Sequence, residues 1–220
     1  MGKTTILGVD FDTYTLDEAA EHAVNLMNES GQHIVCTPNP EIVMEAQHDR
    51  ELMGILKAAD MVTPDGVGVV WASKYSKTKI TERVSGYDAP GVAEKAAEMM
   101  AKKYVGLKVV GIHDGYFDKK EEHLIIADIK KKQPSLLLVG LGSPKQEKWI
   151  YNNLRLTGAK LAIGIGGSFD VMSGNLKRAP KIFCKLGLEW FYRLITQPSR
   201  FKRMLKLPKF VIKVRKEMRR

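Results

Sequence analysis

An α/β fold, with a mostly parallel sheet flanked by helices, is what this 220-residue sequence predicts. Three observations lead there. Short apolar runs alternate with stretches of helical periodicity, and most of those runs are followed by a turn rich in Gly, Pro, Asn or Asp. The net charge, in contrast, is gathered at the C-terminus, where a basic amphipathic helix is appended. Alternating β and α units make successive strands parallel and cover the sheet with helices, a Rossmann-like layout. Ligands of such sheets sit beyond the carboxyl ends of the strands, so functional residues are expected just after each strand.

The elements follow in order. Ile6–Val9 reads as a strand. Thr15-Leu-Asp-Glu18 has the reciprocal spacing of a capping box, and Leu16, Ala19, Ala20, Ala23, Val24 and Met27 continue it at helical spacing. His33–Cys36 is the next strand. Pro40–Ala58 is helical with a break near Asp49, because Asn39 suits an N-cap and Pro40 the first helical turn. Then come a strand at Met61–Thr63, a helix at Val67–Tyr75, a helix at Pro90–Lys103 and a strand at Lys108–Gly111. A helix at Lys119–Lys132, a strand at Leu136–Val139, a helix at Pro144–Leu156 and a strand at Lys160–Ile165 complete the body. From Lys181 onward the chain is helical into the tail.

Composition narrows the class. With 44% hydrophobic residues the chain can bury one core, so a body over residues 1–186 and an appendage over 187–220 are expected. From Gly187 to Arg220 there are eleven Lys/Arg and two Glu, a net of +9 in a chain of +10. Lys209, Lys213, Lys216 and Arg220 form one stripe of a helix, and Phe210, Val211, Val214 and Met218 the opposite one. Cationic side chains opposite an apolar face suit a helix lying in an anionic membrane surface, although the same apolar stripe could dock on its own domain. A nucleic-acid partner is not expected, since the tail carries few aromatics and no reader motif. No apolar run is long enough to span a bilayer, and the N-terminus does not read as a signal peptide. Two cysteines, Cys36 and Cys184, suit a reducing compartment. The expected location is therefore cytoplasmic, peripheral on the inner leaflet.

Four loops carry the chemistry: Thr37-Pro-Asn-Pro-Glu41, Thr63-Pro-Asp-Gly-Val-Gly68, Gly140-Leu-Gly-Ser-Pro-Lys-Gln-Glu147 and Gly164-Ile-Gly-Gly-Ser-Phe-Asp170. Glycines and helix N-termini gathered at one sheet edge favour an anion such as a pyrophosphate. None of them is a dinucleotide fingerprint or a P-loop. Local alternatives stand beside the functional ones: Ser143 and Gln146 have capping-box spacing, Asp65 precedes a turn glycine, and Asp10 and Asp12 form a metal-type Asp-x-Asp or simply start a turn. The histidines have no ligand spacing, and no Ser, Cys and His set forms a nucleophile. A single carboxylate at a strand end is the best proton acceptor.

With Glu82-Arg-Val-Ser-Gly-Tyr-Asp88, Gly115-Tyr-Phe117, Lys148-Trp149, Lys177-Arg-Ala-Pro180 and Gly187-Leu-Glu-Trp190, these loops resemble the WecG/TagA/CpsF glycosyltransferase family, most closely its TagA branch. The resemblance implies inverting, β-1,4 transfer of N-acetylmannosamine from UDP-ManNAc to undecaprenyl-diphosphate-linked GlcNAc, the first committed step of wall teichoic acid linkage-unit synthesis. It implies no metal and no cofactor, which turns Asp10 and Asp12 toward structural roles. It assigns Asp65 as the catalytic base and Thr37 and Asn39 to the sugar pocket. Tyr116 falls against the uracil, Asp170 at the nucleoside with Gly167 in the same loop, and Gln146 on donor or acceptor. Arg193, Arg200 and Arg203 fall over the diphosphates, where bidentate guanidinium contacts would stabilise the leaving group. The same resemblance leaves open another UDP-sugar donor such as UDP-ManNAcA, a non-catalytic UDP-binding peripheral membrane protein, and a homo-oligomer. One departure stands out. The family has an αβ unit of about 20 residues after the Gly-Tyr-Asp motif, a size typical of half a βαβ crossover. Here Asp88 runs directly into Ala89-Pro-Gly-Val-Ala-Glu-Lys95.

Overall fold

The computed structural model describes residues 2–74, 92–166, 168–174, 179–180, 183, 188–196 and 205–217. Its N-terminus differs from the expected single strand. Ile6 and Val9 end and begin two strands, β1 (Lys3–Ile6) and β2 (Val9–Asp12), paired antiparallel. Leu7 and Gly8, both at positive φ (50° and 77°), make the two-residue turn between them. A two-residue hairpin turn with both residues left-handed matches strand twist, and Gly8 inside the apolar run allows it.

The rest alternates as the periodicity predicts. Helix α1 (Leu16–Asn28) opens with the Thr15/Glu18 capping box, both reciprocal bonds present. Strand β3 (His33–Cys36) leads to α2 (Pro40–Ala46) and α3 (Arg50–Ala58), and the break falls at Asp49. The Asp49 side chain caps α3 through Leu52 N–H at 3.0 Å and also meets Lys148 at 2.7 Å. Those two contacts hold its carboxyl below the usual range, the cap bond contributing most. Strand β4 (Met61–Val62), helix α4 (Val67–Ser73), helix α5 (Val92–Lys103) and helix α6 (Lys119–Lys132) follow. Then come β5 (Leu136–Val139), α7 (Lys145–Thr157), β6 (Leu161–Gly164), the short α8 (Ser168–Met172), α9 (Glu189–Thr196) and α10 (Lys206–Glu217).

Strands β4-β3-β6-β5 form one parallel sheet in that order. The hairpin joins this body through Asp12, whose Oδ2 accepts the Val62 N–H at 2.8 Å. One apolar cluster packs Val9, Phe11, Val43, Leu52, Ile55, Val62 and Val69 on that side, and a second packs Ile126, Val139, Trp149, Ile150 and Leu154 between α6, α7 and the sheet. The N-termini of α2 and α4 touch closely. A Cβ at Gly68 would stand 2.7 Å from Pro40 Cγ.

Two expectations are corrected. Lys108–Gly111 is not a strand: Leu107, Val109, Val110 and Ile112 are exposed. A strand needs a bonded neighbour, and among the described residues none pairs with this stretch. The described part of the C-terminal apolar stripe also faces inward. Phe210 (1% exposed) and Val214 (3%) belong to the core cluster with Val9, Phe11 and Val43. Helix α10 is pinned there by a Lys206–Glu45 ion pair and by Lys213 Nζ donating to Gln47 Oε1 at 2.9 Å, and Arg215 lies 5.8 Å over the Trp71 ring. Pro208 sits in its first turn, where a missing N–H costs nothing.

Two outcomes follow from this packing. Phe210→Ala should destabilise the protein to urea by about 3–5 kcal/mol, and a loss under about 1 kcal/mol would mean α10 is not docked in solution. Gly68→Ala, which forces Pro40 away, should cost about 1–3 kcal/mol in the same assay.

Candidate active site

Parallel pairing puts the carboxyl ends of all four sheet strands on one edge, and the loops leaving them are stitched side to side in sheet order. From the β4 loop, Thr63 N–H donates to Cys36 C=O at 2.9 Å and Asp65 N–H to Pro38 C=O at 3.3 Å. From the β3 loop, Thr37 Oγ1 donates to Gly164 C=O at 3.2 Å. From the β6 loop, Gly166 N–H donates to Gln146 Oε1 at 3.0 Å. The β5 and β6 loops also touch at Gly140, where a Cβ would come within 2.8 Å of the Phe169 ring. Finally Gly115 abuts Leu141, and Lys145 lies 5.5 Å over the Phe117 ring. Residues distant in sequence thus become one continuous ridge.

Asp65 stands at the β4 end of that ridge, 9% exposed. Gly66 after it has φ +93°, a left-handed conformation that releases the chain sharply into α4. Asn39 caps α2 through Oδ1 and Ile42 N–H at 3.0 Å, so the NH2 end is what it offers a ligand. Thr37 lies between Asp65 and the glycine turn of β6. Tyr116 stands at the other end, 70% exposed, on an Asx-type turn in which its N–H donates to Asp114 Oδ1 at 2.8 Å. A carboxylate, a hydroxyl and an amide thus sit on neighbouring strand ends, and an exposed aromatic ring marks the far side. Such a set can bind a sugar and accept a hydroxyl proton.

Gln146 takes a different position from that of a contact residue. It is 3% exposed, and both ends of its amide are engaged: Oε1 with Gly166 N–H, Nε2 with Glu147 Oε1 at 2.8 Å. Ser143 does not cap α7, whose N-cap is Pro144 with no side-chain bond. The anion cradle expected of the glycine loop is narrowed as well, because Gly166 N–H is committed to Gln146 and Ser168 N–H to Ile165 C=O. Asp10 accepts from Thr5 Oγ1 at 2.6 Å, and Asp12 accepts from Val62 N–H and forms an ion pair with Lys3 at 3.6 Å, so both hold the hairpin. Among the described residues no three of His, Cys, Asp or Glu gather where a metal could sit.

The backbone of Asp170 lies in α8 and that of Arg193 in α9, while their side chains, and Gly167, Arg200 and Arg203, lie outside the described residues. Sequence reasoning passed over Glu147. It is 3% exposed, and burial pushes its carboxyl above the usual range. The signal was available: Glu147, Ile150 and Leu154 share one face of α7 at i, i+3 and i+7, so an acid occupies an apolar position.

Comparison with known proteins identifies the family. The model of the Glycosyl transferase WecG/TagA/CpsF family matches residues 4–89 and 88–220. The chain is 40% identical to the N-acetylglucosaminyldiphosphoundecaprenol N-acetyl-beta-D-mannosaminyltransferase of Bacillus subtilis (strain 168) over 205 residues, 84% of this chain and 79% of that protein. It is 36% identical to the protein of the same name from Bacillus spizizenii (strain ATCC 23059 / NRRL B-14472 / W23), with the same coverage of 84% and 79%. The one from Staphylococcus aureus (strain MRSA252) is 32% identical over 99% of this chain and 94% of its own. With a family match that runs nearly end to end and relatives of this identity, the chain belongs to the WecG/TagA/CpsF glycosyltransferase family.

Proposed function

We propose that this protein transfers N-acetylmannosamine from UDP-ManNAc to GlcNAc-diphosphoundecaprenol, the acceptor named in its relatives. The observation that carries the reading is Asp65 at the end of β4, joined to Pro38 beside Thr37 and Asn39, in a chain 40% identical to such a transferase. An inverting transfer needs a base where the acceptor hydroxyl attacks the anomeric carbon, and Asp65 is that base. Its carboxylate takes the hydroxyl proton as the new C–O bond forms and UDP departs. Thr37 and Asn39 orient the sugars, and the Tyr116 ring stacks on the uracil. Asp170 and Gly167 hold the nucleoside end. Arg193, Arg200 and Arg203 neutralise the leaving diphosphate without a metal. Gln146 acts by holding the β5 and β6 loops together rather than by touching the sugar.

The C-terminal segment, residues 187–220, keeps its proposed role at an anionic membrane surface, with a different face. No helix among the described residues is long and apolar enough to cross a membrane. Leu188, Phe191 and Ile195 are exposed at i, i+3 and i+7 around α9, and Leu205 and Ile212 are exposed at α10. With the net +9 of this segment, they would rest the protein on the cytoplasmic leaflet where the lipid acceptor lies. The chain also lacks an αβ unit of its family. The family match breaks at residues 88–89, and the Leu107–Ile112 stretch, exposed here, has no pairing strand among the described residues.

Two experiments test these readings. UDP release from UDP-ManNAc with a lipid-diphosphate-GlcNAc analogue in EDTA should require acceptor and fall at least about 100-fold in Asp65→Asn. Turnover that survives the substitution removes Asp65 as base, and UDP binding without turnover points to the shortened sheet. Co-sedimentation with phosphatidylglycerol vesicles should weaken in high salt and in Ile195→Glu, whereas equal binding to neutral vesicles would overturn the electrostatic part.

A further inference from the structure

Among the described residues, Glu147 is the buried acid whose place the transfer chemistry leaves unexplained. It lies in the first turn of α7, directly after Gln146, in the layer beneath the loop ridge. Its Oε1 accepts the Gln146 Nε2–H at 2.8 Å, and Gln146 Oε1 in turn accepts the Gly166 N–H at 3.0 Å. The two ends of a primary amide have nearly the same shape. Nothing about packing alone says which end faces Gly166, yet the reversed amide would set NH2 against N–H. Space is tight as well, since a Cβ on Gly164 would stand 2.8 Å from Gln146 Nε2.

We infer that Glu147 is a positioning residue: its carboxyl fixes the orientation of the Gln146 amide and thereby holds the Gly164–Gly166 turn at the substrate edge. The other carboxyl oxygen explains why an acid stands there. The Ser143 hydroxyl lies against the same carboxyl, and neither Ser143 Oγ nor Glu147 Oε2 has a well-formed partner. A hydrogen bond between the Ser143 hydroxyl and Oε2 completes both atoms at once. Burial raises the carboxyl's pKa, and the hydrogen bonds from Gln146 and Ser143 act against that rise. The result is a chain of donors and acceptors running Glu147 to Ser143 on one side and Gly166 to Gln146 to Glu147 on the other. It links the cis Ser143-Pro144 corner of the β5 loop to the turn after β6. Functionally the inference rests on the transferase reading, in which that turn lines the UDP site.

A Gln at this position keeps the contacts on both sides of the carboxyl. Its oxygen accepts from Gln146, and its NH2 donates to Ser143 Oγ. Met keeps the length and loses the acceptor. Glu147→Gln and Glu147→Met are therefore compared with the parent by amide hydrogen exchange at Gly166, with Leu161 N–H, bonded to Ser135 C=O at 3.0 Å, as internal reference. In Glu147→Met, Gly166 should exchange about tenfold faster or more at unchanged Leu161 rates, the cost of one buried hydrogen bond. In Glu147→Gln both rates should stay at the parent's. Parent-like Gly166 exchange in the Met variant, or equal acceleration in both variants, overturns the proposal. Titration with UDP gives the second reading. The Met variant should bind about tenfold more weakly and the Gln variant like the parent, and unchanged UDP affinity in the Met variant removes the link to the site. A parent chain that fails to bind UDP counts against the transferase reading, while the exchange arm still decides Glu147.

Discussion

Parallel hydrogen bonding among β4, β3, β6 and β5 is the constraint on which everything else rests. It sends four carboxyl ends to the same edge and forces each connection back through a helix. The loops leaving that edge then have no choice but to be neighbours. Each strand is short, two to four residues, so the ladder alone is modest. Cross-loop bonds from Thr63, Asp65, Thr37 and Gly166 extend the pairing past the last strand residue and turn four loop tips into one surface.

That surface is built from residues with two kinds of duty. Asp65, Thr37, Asn39 and Tyr116 stand on loops along that edge. Gln146, Glu147, Gly68, Gly140 and Phe169 set the distances between the loops. The second group is as demanding as the first. Gly68 and Gly140 are glycines because Pro40 and Phe169 occupy the space a Cβ would need, not because the backbone requires positive φ. Gln146 is buried because its amide bridges two strand ends, and Glu147 is buried because that amide must face one way.

The C-terminal charge is also redistributed by folding. As a sequence, 206–217 is a helix with one apolar and one cationic stripe. In the structure Phe210 and Val214 close the core over the β1–β2 hairpin and α2, and Lys206 and Lys213 answer Glu45 and Gln47. The apolar side chains left exposed in this segment include Leu188 just before α9, Phe191 and Ile195 on α9, and Ile212 on α10.

By itself the sequence determined the α/β alternation, the helix caps at Thr15 and Asn39, the break near Asp49, and the strand-end positions of Asp65, Thr37 and Asn39. Those features rest on local periodicity, cap chemistry and turn residues, which need no distant partner. It also carried the family, because the order of its loop motifs is specific. It misplaced the first strand, where Gly8 turns the chain inside an apolar run. It also assigned a strand to Lys108–Gly111, where Val109 and Val110 are exposed and no pairing strand lies among the described residues. Only the tertiary structure decided which face of α10 is buried, that the Gln146 amide is held between Gly166 and Glu147, and that Asp12 caps the amide of Val62. Each of those depends on groups 20 to 166 residues apart in the chain, or on neighbours in sequence whose orientation a distant loop sets. Burial and hydrogen-bond satisfaction are properties of the assembled core, and no window of sequence contains them.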